Sequence, residues 1–89
     1  MKTRDLELGV RQVLTERLGI PAEKITADSR LVDDLGVDSL DALELAMTLE
    51  ETFHVGIDDK ELRRVETVSD VVLLVQALTE NRAVAPSNH

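Results

Sequence analysis

The sequence predicts a small all-α protein: a four-helix bundle of three main helices and one short helix, with a long ordered loop between helices 1 and 2. The chain has 89 residues, which suits one small domain. In three stretches the apolar residues recur every three or four positions, as on one face of a helix. The 4 glycines and 2 prolines fall mostly between those stretches. We expect the domain to span residues 1–82 and residues 83–89 to form a flexible tail.

The first helix is predicted over residues 3–18, because Gly19 and Pro21 are typical of a helix end. Residues 20–37 have no sustained period and should form an ordered loop. Four apolar residues are expected to pin this loop to the core: Ile25, Leu31, Val32 and Leu35. A loop of this length is uncommon in a compact domain and is often functional.

The second helix is predicted to begin at Ser39 and to end at Phe53 or His54. Asp38 is a suitable N-cap, since its carboxylate can accept from the first backbone N–H groups of the helix. Asp41 adds a negative charge to the first turn, where the helix dipole favours it.

A short third helix is predicted over residues 59–62, and Thr67 should cap a last helix, with Asp70 three residues later. The apolar run 71–75 could also be a buried strand by propensity alone. The cap, the length and the lack of a partner strand favour a helix.

The second helix carries two apolar stripes. The first stripe should be buried, and its residues are Ala42, Leu45, Ala46, Leu49 and Phe53. The second, here called the docking stripe, lies on another face and consists of Leu40, Leu43 and Met47. Carboxylates near it form what we call the carboxylate rim: Asp41, Glu44, Glu50 and Glu51. An apolar centre with a charged rim predicts a surface that binds partner proteins, although Leu40 or Leu43 could instead pack under the long loop.

Negative charge is concentrated in the same part of the chain. The formal net charge is -8, yet residues 33–61 hold ten acidic residues and one lysine, so the remainder is nearly balanced. Such a segment favours partners with basic patches. It also argues against nucleic acid as a partner, and so does the single aromatic residue, Phe53.

Other classes of site have little support. The chain has no cysteine, its two histidines are not at ligand spacing, and the acidic residues lack a calcium-loop pattern, so no metal site is predicted. No set of catalytic residues is evident, and we do not expect an enzyme. No apolar run reaches the roughly 20 residues of a membrane span. Without a signal-peptide core near the N-terminus, we expect a cytoplasmic monomer.

The segment from Leu31 to Leu45, with its string Leu-Gly-Val-Asp-Ser-Leu, resembles the modification site of acyl carrier proteins. The following Leu-Glu-Glu-Thr-Phe, at residues 49–53, matches the rest of that family's second helix. The resemblance covers residues 6–78. It implies a four-helix bundle whose serine, Ser39, carries a covalent 4′-phosphopantetheine arm, with Gly36 and Asp38 supporting the site.

The resemblance also implies the partners and the chemistry. A phosphopantetheinyl transferase would move the arm from coenzyme A to Ser39, and the arm's thiol would then hold acyl intermediates as thioesters. The partners would be acyl-transferring and chain-elongating synthase enzymes with basic docking patches. Gly36 would allow a sharp turn and leave room beside the serine. A phosphodiester on Ser39 would lie at a helix N-terminus, which favours anions.

Several residues depart from the commonest fatty-acid pattern of the family, among them Asp58, Lys60, Arg63 and Arg64. Two pathways therefore stay open: fatty-acid synthesis, or a specialised route to polyketide, aminoacyl or other secondary metabolites. Outside the carrier class, the alternatives are an acidic helical adaptor and a small hydrolase.

Overall fold

Four α-helices follow one another along the chain, with boundaries close to those that the capping residues predict. The computed structural model describes residues 3–84, and side chains at residues 4–80. The helices are α1 (Thr3–Leu18), α2 (Ser39–Phe53), α3 (Asp59–Arg64) and α4 (Val68–Val84). The prediction of an all-α bundle with one short helix is confirmed. Within the described residues, β structure is limited to one isolated bridge between Arg30 and Thr67.

The core lies where α1 packs against both α2 and α4, whereas α2 and α4 share a smaller contact. The largest fully buried side chains come from these three helices: Leu6, Val10, Leu14, Leu45, Leu49, Val68, Val71 and Val75. The predicted buried stripe of α2 is confirmed, with Ala42 half-buried and its other four members buried. Thr48 is also buried, which the apolar pattern did not predict.

The run 71–75 is helical, and a reciprocal cap explains where α4 begins. Asp70 N–H donates to Thr67 Oγ1 at 3.1 Å, and Asp70 Oδ2 accepts from Thr67 N–H at 3.1 Å and Glu66 N–H at 2.9 Å. The backbone bonds from Glu66 and then Thr67 lower the pKa of Asp70, because they stabilise its charged form.

A buried serine orders the loop between α1 and α2. Ser29 Oγ donates to the Lys24 carbonyl at 2.8 Å and accepts from Thr26 N–H at 2.9 Å, next to a short 3-10 turn, Ala22–Lys24. Val68 N–H then donates to the Ser29 carbonyl at 3.0 Å. These bonds fix the loop against the start of α4.

The apolar anchors of the loop differ in one position from the prediction. Ile25 and Leu31 are buried and Leu35 is half-buried, as expected, but Val32 is 68% exposed and its assignment to the core was wrong. Residues 31–35 form a turn, in which neighbouring side chains point in different directions, so Leu31 faces the core and Val32 faces away. Most of the predicted tail, residues 85–89, lies outside the described residues, so the boundary at 82 stays a prediction.

Candidate functional site

Ser39 is the first residue of α2, and its side chain is exposed. Asp38 is the N-cap: its Oδ1 accepts from Asp41 N–H at 2.8 Å, while Asp41 Oδ2 accepts from Asp38 N–H at 3.3 Å. This capping box confirms the predicted cap. It leaves the Ser39 hydroxyl without a hydrogen bond to any other described residue. The hydroxyl is therefore accessible and is not needed to hold the helix end.

The backbone before Ser39 is fixed by a turn and a buried anchor. Gly36 has φ +70, a left-handed conformation that favours glycine, and its N–H donates to the Val32 carbonyl at 3.1 Å. Val37 is buried, and its N–H donates to the Leu31 carbonyl at 2.8 Å. A Cβ on Gly36 would meet nothing within 4 Å, so within this chain the glycine serves the turn, and the expected room beside the serine stays a prediction.

A cavity of about 400 Å³ opens beside Ser39. We call it the Ser39 cavity. Its walls come from the loop, from α2 and from the α3 region, and its apolar lining includes Leu31, Val37, Ala42, Leu45, Leu62 and Val65. Sequence reasoning did not predict this cavity. The only signal was the apolar pair Leu62 and Val65, whose position opposite α2 depends on the tertiary fold.

The docking stripe is exposed, as predicted: Leu40 is 76%, Leu43 54% and Met47 56% accessible. Neither leucine packs under the long loop. The stripe lines a groove of about 420 Å³, to which α1 contributes Arg17. No sequence pattern indicated that this arginine would lie beside the stripe.

The members of the carboxylate rim differ in their surroundings. Glu44 and Glu51 are exposed and line the same groove as the stripe. Asp41 and Glu50 are half-buried and already accept backbone hydrogen bonds, the latter from Ile57 N–H to its Oε2 at 2.8 Å. Asp41 thus accepts a hydrogen bond in addition to its predicted charge in the first turn, and Glu50 has an internal role that the sequence analysis did not assign to it.

The described residues contain no group of three or more His, Asp or Glu side chains suited to hold a metal ion. No helix among them is long and apolar enough to cross a bilayer.

This arrangement fits a covalently attached phosphopantetheine arm. Ser39 offers an accessible hydroxyl, and the N–H groups of Ser39 and Leu40 in the first turn have no backbone acceptor among the described residues. Such N–H groups favour an anion. The adjoining apolar cavity provides space for a hydrophobic group close to the serine.

Comparisons with known proteins agree with this geometry. Residues 9–75 match the model of the family described as "Phosphopantetheine attachment site". An acyl carrier protein of Akkermansia muciniphila is 38% identical over 76 residues, which cover 85% of this chain and 95% of that protein. One from Clostridium acetobutylicum is 45% identical over 71 residues, covering 80% and 92%. The crystal structure of an acyl carrier protein from Thermotoga maritima superposes with a TM-score of 0.79 at 26% identity, over 91% of this chain and 94% of that one.

The fold and the match therefore define a phosphopantetheine-bearing carrier protein. The chain belongs to the acyl carrier protein family, and its cofactor is covalently attached 4′-phosphopantetheine. The similar proteins are named as carriers rather than as catalysts.

Proposed function

We propose that Ser39 carries the 4′-phosphopantetheine arm, and that the protein presents acyl thioesters to enzymes of fatty-acid or related synthesis. The observation that carries this assignment is the accessible hydroxyl, without a hydrogen bond, at the start of α2. Ser29, by contrast, is buried and its hydroxyl is hydrogen-bonded to the loop, and Ser69 is half-buried in α4. Ser39 is thus the best placed of these three serines to react with a second protein.

The attachment step needs only the serine hydroxyl from this chain. Ser39 Oγ attacks the phosphorus of coenzyme A that bears the pantetheine. One O–P bond forms at Ser39, the P–O bond to the adenosine bisphosphate breaks, and the hydroxyl proton passes to a base of the transferase. The arm supplies a thiol that the chain, without cysteine, does not have. Acyl groups are held on that thiol as thioesters.

The protein's own contribution is to shelter the cargo and to dock its partners. The apolar lining of the Ser39 cavity suits the hydrocarbon part of an acyl group. The docking stripe, with Glu44 and Glu51 beside it, suits a partner that combines an apolar patch with basic residues. We propose a phosphopantetheinyl transferase and the synthase enzymes as partners. We also propose that the protein is located in the cytoplasm.

Intact-mass measurement tests the attachment site. The apo protein is incubated with coenzyme A and a broad-specificity transferase, and it should gain one phosphopantetheine. Ser39→Ala should gain none, whereas the control Ser69→Ala should be modified like the wild type. Modification of Ser39→Ala, or an arm found by tandem mass spectrometry on another serine, would refute the proposal. No modification of the folded wild type would leave an adaptor or a hydrolase as the alternative.

A specialised pathway is the second candidate, because α3 carries three bases: Lys60, Arg63 and Arg64. These side chains are exposed and make α3 more basic than the commonest fatty-acid pattern of the family. Parallel transfer assays with chain-elongating enzymes of the fatty-acid and polyketide types separate the two candidates. Faster transfer to the polyketide-type enzyme would support the specialised role, and faster transfer to the fatty-acid type would exclude it.

A further inference from the structure

Arg63 lies in the last turn of α3 and lines the Ser39 cavity. Among the described residues that line this cavity, it is the only basic one. Its side chain is exposed and takes part in no ion pair or hydrogen bond with the other described residues. Arg63, whose side chain has no partner among the described residues, therefore lines the same cavity as Ser39.

The carboxylates near Ser39 would repel a phosphodiester attached there, so a nearby arginine without an ion-pair partner is important. A phosphodiester on Ser39 would be attached next to the carboxylate of Asp38, and Asp41 lies in the same helical turn. Like charges at such short separation repel each other, and the cavity lining includes Asp38 but no cation besides Arg63. The guanidinium has a planar fork of donors that matches two phosphate oxygens. Arg63 thus has the charge, the geometry and the position to bind this group.

The other two arginines near this region lie in other surroundings. Arg30 forms an ion pair with Asp33, with Nη1 and Oδ2 3.6 Å apart. Arg64 lines a different groove, where Glu61 and Asp70 are also present. The two neighbouring arginines of α3 therefore face different surroundings, and only Arg63 shares a cavity with Ser39.

We propose that Arg63 is a positioning residue that binds the phosphodiester of the arm and directs the arm across the mouth of the Ser39 cavity. This inference rests on the proposed attachment at Ser39. Binding of the phosphate on the cavity side shifts the arm from conformers that extend into solvent to conformers that place its thioester end near the apolar lining. An exposed charge pair of this kind changes such an equilibrium by roughly fivefold at most, and salt screens it.

Phosphorus NMR of the holo protein tests the contact, with Arg63→Gln compared against Arg64→Gln. The two variants remove the same charge from adjacent exposed positions of one helix, so the second controls for net charge. In the wild type and in Arg64→Gln, the phosphodiester signal should move as salt is raised from low to high concentration, because the ion pair is screened. In Arg63→Gln the signal should start near the high-salt position and move much less. On conversion from apo to holo, the Nε–H signal of Arg63 should shift in the wild type.

Three outcomes would overturn the inference: coincident phosphorus signals in all three proteins, equal changes in both variants, or no shift of the Arg63 Nε–H signal. Circular dichroism melting verifies that both variants fold, which their exposed positions favour. A failure of this inference is distinct from a failure of the attachment proposal. If Ser39 did not carry the arm, either the wild type would give no phosphodiester signal or Ser39→Ala would still give one. If only the Arg63 contact were absent, the signal would depend on Ser39 and would be the same in both arginine variants.

Discussion

The close approach of α1 to the end of α2 predicts an unusual effect of Gly9→Ala. Alanine in place of glycine inside a helix normally stabilises it by about 0.5–1 kcal/mol. Here a Cβ on Gly9 would lie 2.6 Å from Phe53 Cζ and 3.3 Å from Phe53 Cε1. Favourable carbon–carbon contacts lie at about 3.5–4.0 Å, so the ring or a helix must move by roughly 1 Å. Phe53 is buried, which leaves its ring little space to turn away.

Overpacking of this kind costs about 1–3 kcal/mol, which exceeds the gain in helix propensity. We therefore expect Gly9→Ala to lower the free energy of unfolding by about 1 kcal/mol. Urea unfolding followed by circular dichroism measures the change. Gly56→Ala is the matched control, because a Cβ there meets nothing within 4 Å and the residue has no positive φ. That control should leave the free energy of unfolding nearly unchanged or slightly raised.

A double-mutant cycle with Phe53→Leu identifies the cause. Leucine lacks the ring atom that the new Cβ would meet, so Gly9→Ala should be neutral or stabilising in that background. The coupling energy between the two changes should then be about 1–2 kcal/mol. A coupling below about 0.5 kcal/mol, or a Gly9→Ala variant more stable than the wild type, would refute the reasoning.

Two other predictions concern the docking stripe and the cap of α4. Met47→Ala should change the free energy of unfolding by less than about 0.5 kcal/mol, because the side chain is exposed. It should slow arm transfer or acyl transfer, because Met47 belongs to the docking stripe. Leu45→Ala should lower the free energy of unfolding by about 2–5 kcal/mol, because Leu45 is buried. A large drop in the melting temperature of Met47→Ala would contradict this assignment. The lowered pKa of Asp70 means that the folded state binds its proton less readily than the unfolded state, so this carboxylate stabilises the fold above the unfolded pKa. Melting temperatures measured from pH 5 to pH 3 should therefore fall more steeply for the wild type than for Asp70→Asn, and parallel curves would count against the cap.

The helix boundaries could be predicted because they depend on neighbouring residues. The caps formed by Asp38 with Asp41 and by Thr67 with Asp70 join residues three positions apart. The exposure of Val32 could not be predicted in this way, since it depends on a turn whose direction is fixed by the contact of the loop with α4. The spacing of apolar residues does not predict which side chains are buried where the chain is neither helix nor strand.

In the candidate functional site, too, the part that depends on neighbouring residues could be predicted, and the part that depends on the tertiary fold could not. Ser39, Asp38 and Gly36 lie within four residues, so their arrangement follows from a local turn and a local cap. The Ser39 cavity forms only because α3 lies opposite α2, and local sequence patterns do not predict that position. Arg63 was noticeable in the sequence only as a departure from the commonest fatty-acid pattern of the family. Its place beside Ser39 required the fold.

The two apolar stripes of α2 show how a local pattern and the fold act together. The pattern shows that the helix has two apolar faces, but not which of them is covered. In the structure α1 packs closely against α2 while α4 contacts it less, so neighbouring helices cover only the stripe that includes Leu45 and Leu49. Met47 and its neighbours remain exposed because no further helix of the described residues lies over them. Burying them therefore requires a surface from outside these helices, which is what the proposed partner protein would supply.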